Sequence, residues 1–338
     1  MNIKKSIAAQ FVQNYKIIES GWDNYLPKSG DLALFQVIET GKHQTIQSST
    51  KRNVAIFSGD FILATFADRY ATSQFEGYVP TEKHEEYHIL GAGGAIGIVK
   101  SKNASLKDIE PTTVKLIGYA TDDNNQIINT RFYGIEAPTF TGEKQKPKVI
   151  LSLGATMDSG KTTTAAFISR GLYLNNKNVG FIKLTGTAYT KDKDFVFDCG
   201  AKRTLDFSDA GFPSTFTIPC NEILSIYEFL RNKINEENDL DYLVIEIADG
   251  ILQQETNALI SNQAFMDTID FVSFSCGDSL SALHGLEVLK TKNIVPRLLC
   301  GKFTMSQLLI EEVKKWVGLP IFGIDELEEG KANFLFEK

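Results

Sequence analysis

One stretch constrains the fold of this chain more than any other: Leu151-Ser152-Leu153-Gly154-Ala155-Thr156-Met157-Asp158-Ser159-Gly160-Lys161-Thr162-Thr163. In front of it, Val149 to Leu153 is a short apolar run suited to a buried parallel strand. Behind it, Thr162 to Leu174 carries Ala165, Ala166, Phe167, Ile168 and Leu172 at helical spacing. Between them the pattern is Ala-x-x-x-x-Gly-Lys-Thr, with Ala155 where the usual phosphate-binding loop has its first glycine. Alanine fits there only if the position avoids positive φ.

The residue types suit phosphate chemistry. A tight loop at a helix N-terminus turns backbone N–H groups inward, here those of Ala155, Thr156, Met157, Asp158, Ser159, Gly160, Lys161, Thr162 and Thr163, where phosphate oxygens accept them. Gly160 lets the backbone approach without a Cβ. Lys161 reaches the β- and γ-phosphates as a movable point charge. The Thr162 hydroxyl can complete a Mg²⁺ shell, because Mg²⁺ takes oxygen ligands. A chance match in a strand-to-helix turn is the competing reading, at about a few per cent for the pattern alone.

The 338 residues are long for one domain and comfortable for two. A hydrophobic fraction of 43% and a charged fraction of 23% predict a globular chain with a sizeable core. The net charge of -7 argues against a general nucleic-acid binder. No apolar run reaches the length of a membrane span, and no apolar signal region follows Lys4 and Lys5. A cytoplasmic protein is therefore expected. Cys199, Cys220, Cys276 and Cys300 show no metal or disulfide spacing and read as small buried residues. His84 and His88 are four apart, but Tyr87 to Leu90 reads as a strand, so surface histidines are expected.

Residues 1–145 read as a β-rich, barrel-like domain. Leu32 to Glu39, Val54 to Phe57, Phe61 to Phe66, Tyr87 to Leu90, Ile96 to Lys100 and Val114 to Tyr119 are strand candidates separated by turn signals. Gly91 to Gly97 superficially matches a dinucleotide fingerprint. It is followed by a strand-like run rather than a helix, so a glycine hairpin is the better reading. Ala137 to Pro147 reads as a linker. Residues 146–338 then alternate strands and helices. Strands are expected over Val179 to Leu184, Leu243 to Ile247, Phe271 to Ser275, Ile294 to Cys300 and Ile321 to Ile324, and helices over Glu222 to Ile234, Leu280 to Leu289 and Ser306 to Val317. That alternation predicts an α/β fold, a mainly parallel sheet with ligands at the carboxyl ends of its strands.

Three more stretches offer chemistry there. Lys183 ends a strand and would point over the phosphates, against the alternative of a solvated lysine. Leu243-Val244-Ile245-Glu246-Ile247-Ala248-Asp249-Gly250 is an apolar strand ending in carboxylates, as a Mg²⁺ site requires. Glu246 is the better-fixed metal candidate and Asp249 a looser acid or base. Asp198 follows the second strand, a place for a metal acid or equally for a plain loop carboxylate, and Asp206 and Asp209 lie close by.

Gly154 to Thr163, Lys183 to Gly186 and Glu246 to Gly250 together resemble the dethiobiotin synthetase-like group of phosphate-loop proteins, and Gly318-Leu319-Pro320-Ile321-Phe322-Gly323-Ile324 is similar to a strand near that group's end. The resemblance covers about 148 to 338. It implies a Mg²⁺- and ATP- or GTP-dependent enzyme that activates a small acid by phosphoryl transfer. Taken with the reading of the residues themselves, Lys161, Lys183 and Asp249 are the expected catalytic groups, and Thr162, Glu246 and Asp198 the expected metal-facing ones. Ile247 and Asp249 stand where the group's pattern has glycines, and Cys300 where it often has a base-reading asparagine. The group also contains amidoligases and a small adaptor. A non-catalytic nucleotide-dependent adaptor, docking a protein through the first domain, is therefore the alternative, and a homodimer is left open.

Overall fold

The computed structural model describes residues 2–22 and 24–337. The chain separates into two compact units. The first contains the residues up to Ala137 together with Gly186–Thr190 and Phe207–Thr217. The second contains Pro138–Thr185, Lys191–Asp206 and the chain from Ile218 onward.

The core of the first unit is a closed five-stranded barrel. Its strands are β1 (Leu32–Glu39), β2 (Phe61–Phe66), β3 (Tyr87–Gly91), β4 (Ala95–Lys102) and β5 (Thr113–Thr121). They pair around the circuit β1-β2-β4-β3-β5 and back to β1. All pairs are antiparallel except β2–β4. Period-two alternation fills the interior: Ala33, Phe35 and Val37 from β1 meet Ile62, Ala64 and Phe66 from β2, with Tyr87, Ile89, Ile96 and Tyr119. On the other face Leu32 and Leu63 pack with Ala9, Val12 and Ile128. The segment expected as a strand over Val54 to Phe57 pairs outside the barrel, as Asn53–Ala55 against Thr45–Gln47. Phe75–Tyr78 also pairs with β4, antiparallel. Gly91 to Gly94 is a hairpin turn, with Gly94 N–H donating to the Gly91 carbonyl (3.0 Å).

The second unit is a parallel sheet flanked by helices. Its strands are β6 (Lys148–Gly154), β7 (Val179–Lys183), β8 (Arg203–Asp206), β9 (Tyr242–Glu246), β10 (Phe271–Ser275) and β11 (Leu298–Cys300). Their order is β8-β7-β9-β6-β10-β11, and every pair is parallel. Helices α1 (Lys161–Leu174), α2 (Lys191–Asp198), α3 (Cys220–Ile234), α4 (Gln254–Ile260), α5 (Ser279–Thr291) and α6 (Gln307–Lys314) lie between and after the strands. Ile294 to Leu298 is mostly outside strand pairing, and Ile321 makes only a single bridge to Leu299. Helix α2 and strand β8 are short and charge-rich, so periodicity does not reveal them.

Composition suggests a boundary near residue 145, whereas the units divide at Ala137/Pro138. The physical reason is that the expected linker packs on α3. The Phe140 and Tyr227 rings lie 5.9 Å apart, the Thr141 hydroxyl donates to Glu228 (3.4 Å), and Arg231 donates to the Glu143 carbonyl (2.8 Å). Glu228 and Arg231 form a buried ion pair at 3.1 Å.

Candidate nucleotide-binding site

Strand β6 ends at Gly154 and α1 begins at Lys161, so residues 155–160 make the turn. Asp158 (φ 60°) and Gly160 (φ 102°) take the left-handed conformation, while Ala155 does not, which is why alanine is tolerated there. Three neighbouring strand ends hold the loop. Ala155 N–H donates to the Ser275 carbonyl at the end of β10 (2.9 Å), Ile251 N–H to the Gly154 carbonyl (3.1 Å), and Lys302 N–H to the Ser159 carbonyl (3.0 Å). Gly250 packs so closely that a Cβ there would lie 2.5 Å from the Ala155 carbonyl oxygen.

Lys161 is buried, and its Nζ donates to the Thr156 carbonyl (2.9 Å), folded back over the loop. Burial lowers its pKa, opposed by Glu246 and Asp249. The Thr162 hydroxyl donates to Glu246 Oε1 (2.8 Å). Glu246 is buried at the end of β9, and burial raises its carboxyl pKa against the pull of Lys183 and Lys161.

Register explains why these groups meet. Ser152, Glu246, Lys183 and Asp206 occupy one row across β6, β9, β7 and β8, and neighbours in such a row project to the same face. Lys183 pairs with Asp192 in the first turn of α2. Burial works against the Lys183 ammonium, but Glu246, Asp192 and Asp206 outweigh it and set its pKa above the ordinary lysine range. Lys193 pairs with Asp206 at 3.1 Å, both side chains buried.

The structure therefore brings together Lys161, Thr162, Lys183 and Glu246, with Asp249 in a left-handed turn (φ 59°) beside the loop. It does not bring Asp198 there. Asp198 is exposed at the last position of α2, about 10 Å along the helix from Asp192, and its charge acts on Cys199 instead. Asp209 belongs to the first unit. Cys300 is buried, its thiol 3.5 Å from the Ser275 hydroxyl, so it packs rather than presenting a base-reading group. Cys276 is likewise buried, while Cys199 and Cys220 are half-buried. Asp192 is the residue that sequence reasoning missed. Its only signal was a charged start to a short helix, Lys191-Asp192-Lys193-Asp194.

The donor set fits Mg²⁺. Glu246 Oε2 and Ser159 Oγ are buried polar atoms with no hydrogen-bond partner among the described residues. An orphaned carboxylate oxygen next to a threonine hydroxyl suits a hard cation that takes oxygen ligands and shares phosphate oxygens and waters. Among the described residues no group of three or more His, Cys, Asp or Glu side chains could hold a metal by itself. Nor is any described helix long and apolar enough to cross a membrane.

Neither a protein-family model nor a curated protein matches the chain. Solved structures with partial likeness include the signal recognition particle receptor FtsY from Elizabethkingia anophelis in complex with GDP. It is 14% identical over 58% of this chain and 66% of that one, with a TM-score of 0.37. The chloroplast FtsY from Physcomitrella patens is 14% identical over 58% and 68%, with a TM-score of 0.39. The hydrogenase maturation factor HypB from Archaeoglobus fulgidus is 15% identical over 56% and 90%, with a TM-score of 0.36. At such scores the fold assignment rests on this chain's own strand order and loop: its second unit is an α/β phosphate-loop domain.

Proposed function

We propose that the second unit binds a nucleoside triphosphate with Mg²⁺ and transfers its terminal phosphoryl group to a small acid. The observation that carries this reading is the convergence of the phosphate loop, Lys161, Thr162, Glu246 and Lys183 at the carboxyl ends of adjacent parallel strands. Backbone N–H groups of 156–163 bind the phosphates, whereas that of Ala155 is already given to the Ser275 carbonyl. Lys161 leaves the Thr156 carbonyl for the β- and γ-phosphates and offsets charge that develops on the transferred group. Lys183 holds the terminal phosphoryl or the acceptor carboxylate, and Asp249 serves as the acid or base. Thr162 and Glu246 would hold Mg²⁺, with Asp198 too distant along α2 to join them. When bound, Mg²⁺ supplies charge neutralisation between phosphate oxygens. The likeness of residues 148–338 to dethiobiotin synthetase-like proteins supports a carboxylate acceptor, and either ATP or GTP serves this reading.

A second reading is a nucleotide-dependent adaptor working in the cytoplasm through a protein docked on the first unit. It is favoured by one observation: Gly186–Thr190 and Phe207–Thr217, which leave the carboxyl ends of β7 and β8, belong to the first unit. Calorimetric titration with Mg-ATP and Mg-GTP tests the common core. We expect binding by the wild-type protein and a loss of at least about tenfold for Lys161→Ala; no binding of either nucleotide would overturn both readings. Turnover stimulated by a small carboxylic acid favours the enzyme, and turnover stimulated only by a protein favours the adaptor.

A further inference from the structure

Lys183 has a partner that the phosphoryl-transfer reading leaves without a role. Its Nζ is ion-paired with Asp192, and the lysine side chain is 14% exposed against 31% for the aspartate. The lysine is thus the more buried partner and the aspartate the more exposed one. Glu246 stands next to Lys183 in the sheet register and is itself bonded to Thr162 of the loop. Lys183 is thus one strand away from the glutamate bonded to the loop, and its charge acts on Lys161. The neighbouring residue is anchored independently: Lys193 pairs with Asp206, both buried. The first turn of α2 therefore stays fixed to the sheet when Asp192 gives up Lys183.

We propose that Asp192 acts as a stand-in for the terminal phosphate, competing with it for Lys183, and so sets how strongly the site prefers a triphosphate over a diphosphate. The inference rests on the nucleotide reading above. A triphosphate must displace a carboxylate from Lys183 before gaining its charge-assisted hydrogen bond. A diphosphate, held by the loop and Lys161, ends short of Lys183 and leaves the pair intact. Simple loss of a negative charge near the site would act on nucleotide binding whether or not Lys183 is present, so an effect that requires Lys183 identifies competition. Asp192 is on this account a specificity-determining residue acting through Lys183.

The test is calorimetry with the β,γ-imido triphosphates and the diphosphates of adenosine and guanosine, in the presence of Mg²⁺, on the full chain. Asp192→Asn should tighten triphosphate binding about tenfold while diphosphate binding changes less than about twofold. Asp192→Glu, which keeps the carboxylate, should stay near wild type. In a Lys183→Met background Asp192→Asn should have no further effect, because the coupling is between these two side chains. Should Asp192→Asn not fold, Asp192→Ser carries the same expectations. Unchanged or weaker triphosphate binding, equal shifts for both nucleotides, or an effect that persists without Lys183 would each overturn the inference alone. Wild-type protein that binds neither nucleotide would overturn the underlying reading with it.

Discussion

At the residue scale the two acids after β9 have separable roles. Glu246 is fixed by burial and by the Thr162 hydroxyl, whereas Asp249 sits in a left-handed turn that asparagine also tolerates. Glu246→Gln should raise the Mg²⁺ concentration for half-maximal turnover by about tenfold or more. Asp249→Asn should lower turnover at saturating Mg²⁺ by about a hundredfold. A Mg²⁺ titration of steady-state rates distinguishes them, and exchanged phenotypes would refute the assignment. His43 gives a pH prediction for the first unit. Burial, with Arg69 and Lys42 nearby, pushes its imidazole pKa down to about 3. Between that value and the unfolded value near 6.5 the unfolded chain binds the extra proton, so stability is full above about pH 7 and falls as pH drops, by about 3 kcal/mol at pH 4. Thermal unfolding from pH 7 to 4 should show this slope, and His43→Gln should flatten it. Lys161 and Thr162 were legible because their signal is contiguous, and Lys183 and Glu246 because apolar strands end on them. Asp192 was illegible because its meaning lies in a partner nine positions away.

At the element scale the loop's conformation depends on what stands behind it. Gly250 presses its backbone on Ala155 and Thr156 with no room for a methyl group. Gly250→Ala should therefore displace the loop. We expect nucleotide affinity to fall about tenfold or more, and stability to fall by about 1–3 kcal/mol, the usual cost of overpacking. Titration calorimetry and thermal unfolding measure the two. An affinity unchanged in a folded variant would show that the loop does not lean on this turn. The apolar strands β6, β9 and β10 and the periodic helices α1 and α3 could be read from the sequence, because a buried strand or amphipathic helix writes its pattern into every few residues. Strand β8 and helix α2 could not, because their short spans are held by ion pairs such as Lys193–Asp206. The expected strand at Ile321 to Ile324 reduces to one bridge, at the edge beyond β11.

At the scale of the whole molecule, β-rich and α/β parts were separable by composition and alternation. That the barrel closes through the β2–β4 pair was not, since strand pairing over long separations leaves no local trace. Nor was the first unit's recruitment of later chain. The Gln47 side chain both donates to the Thr190 hydroxyl (2.9 Å) and accepts from Thr190 N–H (2.9 Å). Gly93 packs against the Ala188 carbonyl, and Gly211 against that of Thr130. A fragment ending at Ala137 would lose all of these. Leaving buried polar groups such as Gln47 unpaired costs about 1–3 kcal/mol each, so the fragment should melt well below the full chain or bind a hydrophobic dye, as calorimetry and dye fluorescence would show. A fragment as stable as the full protein would contradict this.

The same arrangement bears on how the protein is made. The ribosome finishes the barrel strands first, yet the last segment that completes their unit, ending at Thr217, emerges about 80 residues after Ala137. At ordinary elongation rates that is a wait of about 4–16 s. Through that interval the barrel is an unfinished domain, and the strand-loop-helix of the phosphate site is synthesised before it is sealed.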